Sequence, residues 1–487
     1  MNKGATKANE SFCCVIKSSL VDFLAKLDCA DIAYVSWKNN HELEDSLVGR
    51  GDLDLFIAPD NRSVFMSLAT EDGWIELVNP VAHYPSVCHL YRVGLQSNVY
   101  HLHVYFRMIT GESWLKEFEL PLEDFLLENR QWSKDYGVWV LSNDAQKYLF
   151  GLRHLLKGGS VSSRLLYRRE LDSYQKEWEA CDGPCGWLPD MGPLALTAYV
   201  KKANLDGERI ALPKMGSALS LRRSLWPFLR FPVWSLSLRR FGSFSLRAIN
   251  KVFLKRRKIF PHGGLVIAIS GVDGAGKSTM LGEMKRYFSG FLTVETFQLG
   301  RPQGRFLESM RRLFMHQHPA PNLTKQEPSS IEPIGLRRAL ASAVLAWTRL
   351  RVAKRAIKAA RKGHMVLVDR WPTSELGKMD GPRISLESAS MKGMIKQLGR
   401  FENWAYSRMP QADICVFLTV SIDSALARNR DRIKDGKESD QEIIRRFEEN
   451  QAVKPIAKKV ILFYNDGEFE TMREQLKELI WSEVSRF

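Results

Sequence analysis

One nine-residue stretch combines the residue types that hold phosphate groups. It reads Gly-Val-Asp-Gly-Ala-Gly-Lys-Ser-Thr from Gly271 to Thr279 and fits the pattern G-x-x-x-x-G-K-[ST]. In that pattern, glycines let successive backbone N–H groups face bound phosphates, a lysine reaches the outer phosphates and a serine hydroxyl ligates Mg²⁺. The stretch predicts binding of ATP and Mg²⁺, with Ser278 as a metal ligand. The residues expected around the nucleotide are Gly271, Asp273, Gly274, Ala275, Gly276, Lys277, Ser278 and Thr279.

A second candidate is the pair Asp369-Arg370, which follows the apolar run 365–368. That run predicts a buried strand, and catalytic groups in parallel sheets lie at the carboxyl ends of strands. There, Asp369 can hold Mg²⁺ or act as a base, and the guanidinium of Arg370 can bind an acceptor phosphate with two hydrogen bonds. The alternative is a structural salt bridge that ends the strand.

A third candidate is an arginine cluster at Arg428, Arg430 and Arg432. Its spacing and the glycine that follows suit a lid that closes over a phosphoryl group and stabilises the transition state. Alternating basic and acidic residues are also typical of a solvated helix face, which is the alternative reading.

A fourth candidate lies near the N-terminus, where Asp52 and Asp54 sit at i and i+2. On a strand, this spacing places both carboxylates on one face, where they can bind two Mg²⁺ ions around a triphosphate. The alternative is a polar turn at the edge of a strand.

The flanking sequence predicts the elements that must position these groups. Apolar, β-branched runs at 265–270, 365–368, 414–420 and 460–463 alternate with helical patterns at 336–362, 386–407 and 440–458. This alternation predicts an α/β fold whose parallel sheet carries helices on both faces. The N-terminal part predicts an α+β domain: a helix at 11–27, strands at 33–37, 53–57 and 101–106, and a helical extension from 144 to 179. The expected domains are 1–205, a basic linker at 206–262, and 263–487.

The linker has an unusual charge pattern. No acidic residue occurs between Glu208 and Asp273, whereas arginines and lysines recur from 214 to 258 among tryptophans, phenylalanines and leucines. Such a basic amphipathic segment can lie on an anionic membrane surface. The alternative is a helical linker that packs its apolar side on a domain. Because nothing resembles a recognition module, a nucleic-acid partner is not expected.

Composition limits the class of protein. The 487 residues carry a net charge of +16 and are 45% hydrophobic, which is typical of a globular protein with an anionic partner. The sequence has no run long enough to span a membrane and no signal peptide, so we expect a cytoplasmic protein. Peripheral association with the inner face of the membrane stays open as an alternative. Cys181 and Cys185 resemble half a zinc knuckle without a second pair. A homodimer is left open.

The C-terminal motifs together resemble those of the thymidylate kinase family. The resemblance covers about 220 residues, from Gly263 onward, and rests on the phosphate loop, on Val-Asp-Arg-Trp at 368–371 and on the arginine-rich stretch. It implies a P-loop nucleoside-monophosphate kinase fold and transfer of the ATP γ-phosphoryl group to a phosphorylated small molecule, with dTMP as the family default. Asp273 would face the acceptor, and the lid arginines would supply the charge that the loop lacks.

The acceptor region departs from that family. Where its members carry a Ser/Ala-Tyr-Gln-Gly stretch, this chain has 374–383, Ser-Glu-Leu-Gly-Lys-Met-Asp-Gly-Pro-Arg. Arg349 and Arg351 are further candidates for acceptor contacts. Two alternatives to dTMP phosphorylation therefore stay open: a kinase for a sugar phosphate or glycan precursor at the membrane, and a nucleotide-gated interaction protein without catalysis.

The N-terminal Asp-x-Asp strand resembles that of nucleotidyltransferases. That family's Gly-Ser turn is replaced here by Ser36-Trp37-Lys38-Asn39-Asn40, and His101-Leu102-His103 stands where a third acid is expected. The resemblance implies a nucleotidyltransferase-like domain, either active or degenerate, because the missing acid weakens two-metal catalysis.

Overall fold

The computed structural model describes residues 19–112, 115–157, 161–181, 210–272, 274–300, 335–386, 393–430, 440–450 and 453–487. The chain divides into two units, 1–256 with 477–487 and 257–476. The division falls within the predicted linker, and the three domain ranges expected from the sequence stay a prediction. Among the described residues, no helix combines the length and apolar character needed to cross a bilayer.

The first unit is built on a mixed sheet. Its strands are β1 (Tyr34–Ser36), β2 (Asp52–Ile57), β3 (Ile75–Glu76), β4 (Val87–Val93), β5 (Val99–Tyr105), β8 (Arg130–Ser133) and β9 (Val138–Leu141), while β6 (Met108–Thr110) and β7 (Phe118–Leu120) form a separate hairpin. The seven strands follow the order β3-β4-β5-β2-β1-β9-β8. Central β2 runs parallel to β5 and antiparallel to β1.

Helices cover both faces of this sheet. They are α1 (Leu20–Cys29), α2 (Leu43–Leu47), α3 (Arg62–Glu71), α4 (Glu123–Glu128), α5 (Asn143–Lys157) and α6 (Val161–Glu179). Because strand side chains alternate, Leu53 and Leu55 of β2 pack with Phe23 of α1, whereas Phe56 joins a second core with Leu149 of α5. The two aspartates of β2 therefore lie on the face opposite α1.

The basic segment is anchored on the first unit by α7 (Met215–Ser224) and α8 (Leu236–Ile249). The buried guanidinium of Arg222 donates to Glu117 Oε1 at 2.7 Å and to the Leu156 carbonyl at 2.6 Å. Arg240 of α8 also donates to Glu117, at 3.1 Å. A buried carboxylate with two arginine partners ties the segment to the unit, so part of its positive charge faces protein and not water.

The second unit contains a fully parallel sheet. Its strands are β10 (Val266–Gly271), β11 (Val294–Gln298), β12 (Met365–Asp369), β13 (Ala412–Thr419) and β14 (Ala457–Tyr464). They follow the order β11-β12-β10-β13-β14, and each neighbouring pair is parallel. All residues of β10 are buried, as expected for the central strand of a sheet covered on both faces.

The helices of this unit are α9 (Lys277–Phe288), α10 (Leu336–Ala360), α11 (Gly393–Ser407), α12 (Ile422–Arg430) and α13 (Asp440–Asn450). Helix α14 (Phe469–Val484) begins in the second unit, and its residues from Lys477 onward belong to the first. Val266 and Ala268 of β10 pack in a cluster with Leu350 of α10. Helix α9 contacts β10, β11 and β12 and buries Met280 and Met284. A parallel sheet flanked by helices confirms the predicted α/β fold class, while the nucleotidyltransferase likeness of the first unit stays a prediction.

Three element predictions need correction. The helix predicted at 440–458 ends at Asn450, and the residues from Ala457 belong to β14. Pro455 lies between them and cannot continue a helix. The helix predicted from 386 begins at Gly393 among the described residues, and β11 was not expected because its side chains are only partly buried.

Candidate functional site

The phosphate loop has the backbone that its sequence predicts. Gly271 ends β10 with φ +142°, and Gly276 precedes α9 with φ +80°. A Cβ atom at Gly271 would lie 2.0 Å from the carbonyl oxygen of Leu418. Because L-residues rarely adopt these angles, both positions require glycine. The loop thus joins a strand to a helix N-terminus, the arrangement that favours an anion.

Lys277 and the two hydroxyls differ in exposure. The lysine side chain is buried, and its Nζ donates to the Val272 carbonyl at 2.6 Å. Ser278 and Thr279 are exposed in the first turn of α9. A hydroxyl and a nearby carboxylate are oxygen ligands of the kind Mg²⁺ prefers, so Ser278 and Asp369 fit the expected metal chemically. Asp273 lies outside the described residues.

Asp369 lies beside the loop because β12 is the neighbour of β10. It is paired with Ile269, two residues before Gly271. Burial raises the pKa of Asp369, and Asp380 adds to this effect, whereas the charges of Arg370 and Lys277 oppose it. A carboxylate between two cations and a second acid can serve as a metal ligand or proton acceptor.

Arg370 has a strained backbone, with φ +66°. A non-glycine residue in the left-handed region is uncommon and costs of order 1 kcal/mol, and such strain often marks functional sites. The guanidinium lies 2.9 Å from the sulfur of Met379 and 3.6 Å from the carboxylate of Asp380. The predicted phosphate-binding residue is therefore turned toward the 374–383 stretch.

Asp380 joins Arg370 to a second arginine that is buried. Arg349 of α10 donates to Asp380 Oδ1 at 2.6 Å, to the Tyr406 hydroxyl at 2.7 Å and to the Leu299 carbonyl at 2.9 Å. With all these contacts made inside the protein, Arg349 is suited to fixing Asp380. Arg351, the other candidate on this helix, is exposed.

Arg428 contacts the phosphate loop from α12. Its Nη2 donates to the Asn465 carbonyl at 2.7 Å, and its Nη1 lies 3.5 Å from the Gly274 carbonyl. Asn465, which follows β14, donates through Nδ2 to the Ala275 carbonyl at 2.9 Å. The two side chains brace the loop. In the sequence, Asn465 is marked only as a polar residue that follows a predicted strand. Arg432 and the side chain of Arg430 lie outside the described part of the chain.

The 374–383 stretch is fixed to α13 by polar contacts. Lys378 Nζ donates to the Glu449 carbonyl at 2.6 Å, and the Met379 amide donates to Asn450 Oδ1 at 2.8 Å. The stretch that departs from the thymidylate kinase pattern is therefore ordered and lies next to Arg370.

In the first unit, the strand register aligns the aspartates with histidines. Asp52 is paired with His101 and Asp54 with His103 between β2 and β5. His103 is also paired with His89 of β4, and these two imidazoles stack at 4.3 Å. The expected place of a third acid is thus occupied by imidazoles.

Asp54 is buried and already neutralised. Its Oδ1 lies 2.9 Å from Lys38 Nζ and 2.9 Å from His103 Nδ1, and its Oδ2 accepts from Asn39 Nδ2 at 2.9 Å. Burial alone would raise the pKa of Asp54, but Lys38 and His103 hold it below its ordinary value. Burial lowers the pKa of His103 to about 3, so its ring is neutral beside the carboxylate.

These contacts bear on the predicted two-metal site. Asp52 is exposed and its Oδ1 lies 2.5 Å from His101 Nδ1, while Asp54 is bound by an ammonium, an amide and an imidazole. Among the described residues, no group of three or more His, Cys, Asp or Glu side chains is placed to hold a metal ion. The arrangement does not fit two Mg²⁺ ions, and metal binding by Asp52 and Asp54 stays a prediction that this geometry does not favour. Cys185, which with Cys181 resembles half a zinc knuckle, lies outside the described residues.

Comparison with known proteins gives distant relatives. No protein-family model matches the chain. It is 26% identical over 177 residues to the uncharacterized ATP-binding protein YghS of Escherichia coli strain K12, which covers 34% of this chain and 73% of that protein. It is 25% identical over 175 residues to the uncharacterized ATP-binding protein YghR of the same strain, covering 34% and 69%. The structure of thymidylate kinase from Candida albicans matches with 14% identity and a TM-score of 0.27 over 46% of this chain and 92% of that one. A TM-score this low carries no argument about function.

Proposed function

We propose that the second unit is an ATP- and Mg²⁺-dependent phosphotransferase whose acceptor is a small molecule that already carries a phosphate. Binding of ATP is supported by the loop geometry and by the naming of YghS and YghR as ATP-binding proteins. One observation carries the choice of a kinase: Asp369 and Arg370 stand beside the loop, with Arg370 held at φ +66°. P-loop switches and motors also place an acid beside the loop to hold Mg²⁺. The arginine next to that acid, turned toward the 374–383 stretch, is therefore what favours transfer to a phosphorylated acceptor.

The chain's own groups would act mainly through position and charge. Backbone N–H groups from the loop and the N-terminus of α9 would bind the donor phosphates, and Lys277 would neutralise charge that builds up between donor and acceptor. Arg370 would hold the acceptor phosphate with its guanidinium, and Asp369 would orient the attacking oxygen or take its proton. Bound Mg²⁺ would supply charge neutralisation at the phosphates. Arg428, Arg430 and Arg432 remain proposed for transition-state stabilisation.

The nature of the acceptor is proposed at two levels. In general terms, we propose that the acceptor is a phosphate ester, because Arg370, which would bind its phosphate, is turned toward the 374–383 stretch. dTMP is the default that follows from the resemblance to thymidylate kinases. A sugar phosphate is the second candidate, because 374–383 lacks the sequence that those enzymes place beneath the base. The residues found there instead are held against α13 by hydrogen bonds.

A screen for ADP release tests the proposal. Purified full-length protein is incubated with ATP and Mg²⁺ against nucleoside monophosphates and sugar phosphates, with dTMP included. We expect acceptor-dependent ADP release for one class, and its loss in Arg370→Ala but not in Arg355→Ala, which changes an exposed arginine on α10. ATP binding without acceptor-dependent release in either class would favour the non-catalytic, nucleotide-gated protein instead.

A further inference from the structure

Two lysines lie beside one tyrosine in the first unit, and an arginine stands over the neighbouring tryptophan. Lys116 Nζ donates to the Tyr105 hydroxyl at 2.7 Å and lies 4.5 Å from the ring centre. Lys38 Nζ lies 5.6 Å from the same ring centre. Arg153 stands over Trp37, the neighbour of Lys38, at 5.8 Å. These side chains come from four separate segments of the chain, and the fold brings them to the sheet face that carries Asp54.

The basic segment adds charge to this cluster. Arg230 Nη1 donates to the Lys116 carbonyl at 3.1 Å, and its guanidinium lies 5.8 Å from the Tyr84 ring centre. Arg247 of α8 also acts on Tyr84, lowering its pKa through its charge and a hydrogen bond against the larger effect of burial, which raises it.

The carboxylates near the cluster are already paired with other cations. Asp54 is bound to Lys38, Glu177 to Arg153, and Glu119 lies 3.9 Å from Arg230. Glu117, which also acts on Tyr84, is bound to Arg222 and Arg240. No carboxylate lies within 4 Å of Lys116 Nζ among the described residues. Burial lowers the pKa of Lys116 to about 7, and the ammonium of Lys38 adds to this effect. Collecting like charges in a buried place is unfavourable unless an anion joins them.

From this geometry we propose that the cluster is a binding site for the phosphate groups of a small molecule and that it works without a divalent metal. Lys38 and Lys116 would contact the phosphate oxygens, and Tyr84 and Tyr105 would pack against the rest of the ligand. Lys38 occupies the place beside Asp54 where a metal would otherwise bind. Tyr84 of the cluster also borders a small surface pocket, together with His83 and His89.

Calorimetric titration with inorganic pyrophosphate in EDTA tests this site on the full-length protein. Lys277→Ala removes the lysine of the phosphate loop, so we expect one pyrophosphate site to remain in that variant. Adding Lys116→Gln should weaken the remaining site at least tenfold, whereas Lys116→Arg should retain it. Lys134→Gln serves as the matched control, because Lys134 is an exposed lysine of the same unit.

Two results would overturn the proposal. Loss of all metal-free binding in Lys277→Ala alone would place pyrophosphate only in the phosphate loop. Equal binding by Lys116→Gln and Lys134→Gln, with thermal unfolding unchanged, would show that the cluster is not involved. Vesicles of phosphatidylglycerol form a separate arm. Because Lys116 is half-buried beside the rings of Tyr84 and Tyr105, Lys116→Gln should leave vesicle binding unchanged. Loss of vesicle binding in this variant would identify a lipid headgroup, and not a small molecule, as the source of the phosphate.

A second, independent observation concerns the outer side of the basic segment. Trp234, Leu238, Phe241 and Phe253 are 83%, 73%, 71% and 77% exposed. Phe244, Leu246, Ile249 and Val252 are also exposed. A contiguous apolar surface of this kind is unusual for a soluble protein and marks an interaction site.

The geometry of α8 separates this apolar face from the anchored arginines. At about 100° per residue, Leu238, Phe241 and Ile249 lie on one side of the helix. Arg240 and Arg247 lie on the opposite side, and Arg240 is bound to Glu117. The apolar face is flanked by exposed Arg239, Lys251, Lys255 and Arg256, and no acidic residue occurs between Glu208 and Asp273.

The combination of exposed aromatic residues with basic ones points to an anionic lipid bilayer as the occupant. We infer that Trp234, Phe241 and Phe253 enter the boundary between headgroups and acyl chains while the basic residues contact anionic headgroups. A second copy of this chain would bring the same positive charge to the interface and be repelled, so charge complementarity favours lipid over a homodimer.

Vesicle co-sedimentation tests this surface on the full-length protein. We expect binding to phosphatidylglycerol vesicles that falls with salt, and little binding to phosphatidylcholine. The double variant Phe241→Ser with Phe253→Ser should reduce binding at least tenfold, and Trp132→Ser, which changes an exposed tryptophan elsewhere in the unit, should not. Equal binding by the double variant and Trp132→Ser would contradict the proposal. The proposal would also be contradicted if the wild-type protein bound no vesicles and formed a dimer that the double variant does not form.

Discussion

The two units differ in how they gather groups suited to phosphate. In the second unit, one continuous loop does so with backbone amides, required glycines and a single buried lysine, Lys277. In the first unit, side chains from distant segments do so. Lys38 and Lys116 lie beside the same tyrosine, Tyr105, only because the fold brings their segments together. A site formed by backbone groups can be recognised from consecutive residues, whereas a site formed by side chains depends on tertiary contacts.

The partners of the two lysines sharpen this difference. Lys277 donates to the neutral carbonyl of Val272, whereas Lys38 is bound to the carboxylate of Asp54. Burial alone would lower the pKa of Lys38, but Asp54 overrides this and raises it. The first arrangement suits transient neutralisation of a transferred group, and the second suits a permanent charge that excludes a metal ion.

The largest expected effect separates the two sites by activity. Lys277→Ala should reduce acceptor-dependent ADP release by about a thousandfold, because the charge that builds up on the transferred group loses its nearest cation. Metal-free pyrophosphate binding in the first unit should persist. Steady-state kinetics and calorimetry on the same preparation check both parts. Unchanged turnover in this variant would remove the loop from the mechanism.

A smaller effect concerns the stability of the first unit. Asp54→Asn should lower the free energy of unfolding by about 3 kcal/mol, because it leaves Lys38 buried without its carboxylate. The pKa of Asp54 is held below its ordinary value, so its contribution is complete above about pH 4 and is lost as pH falls further. Urea unfolding between pH 3 and 7 measures this. A difference from wild type that stays constant below pH 4 would contradict the assigned pairing.

Substitution of Arg428 tests whether its contacts with the phosphate loop and Asn465 stabilise the conformation that binds ATP. Arg428→Ala should weaken ATP binding about tenfold, equivalent to about 1.4 kcal/mol, because the loop loses its link to Asn465. Asn465→Ala should have a similar effect. The measurement is the Kd for ATP by calorimetry. A large fall in kcat with an unchanged Kd would instead support transition-state stabilisation by Arg428.

The smallest effect is a gain in stability. Lys116→Met should raise the free energy of unfolding by about 1 kcal/mol while removing the proposed anion site, a trade that is common at functional positions. Since burial lowers the pKa of Lys116 to about 7, its cost to folding is complete below pH 7 and declines as pH rises toward its ordinary value. Thermal unfolding at pH 6.5 and 9 checks this. A stability loss at both values would mean that Lys116 is a structural group.

Local sequence predicted the second unit well and the first only in outline. The strand, loop and helix around Gly271 are consecutive, and glycine is required by φ angles that the motif itself implies. By contrast, β11 was missed because an edge strand with partly exposed side chains lacks an apolar run. The Lys116 cluster and the role of Asn465 depend on strand register and packing, which residue spacing does not contain. The helix prediction at 440–458 extends too far because Pro455 cannot continue a helix.

The most direct test of the central claim is ³¹P NMR of ATP incubated with Mg²⁺, the full-length protein and the acceptor found by the ADP-release screen. We expect loss of the acceptor monophosphate signal and appearance of two coupled resonances from a new phosphoanhydride, and neither change in Lys277→Ala. Release of inorganic phosphate alone, or an unchanged acceptor signal while ATP is consumed, would contradict it.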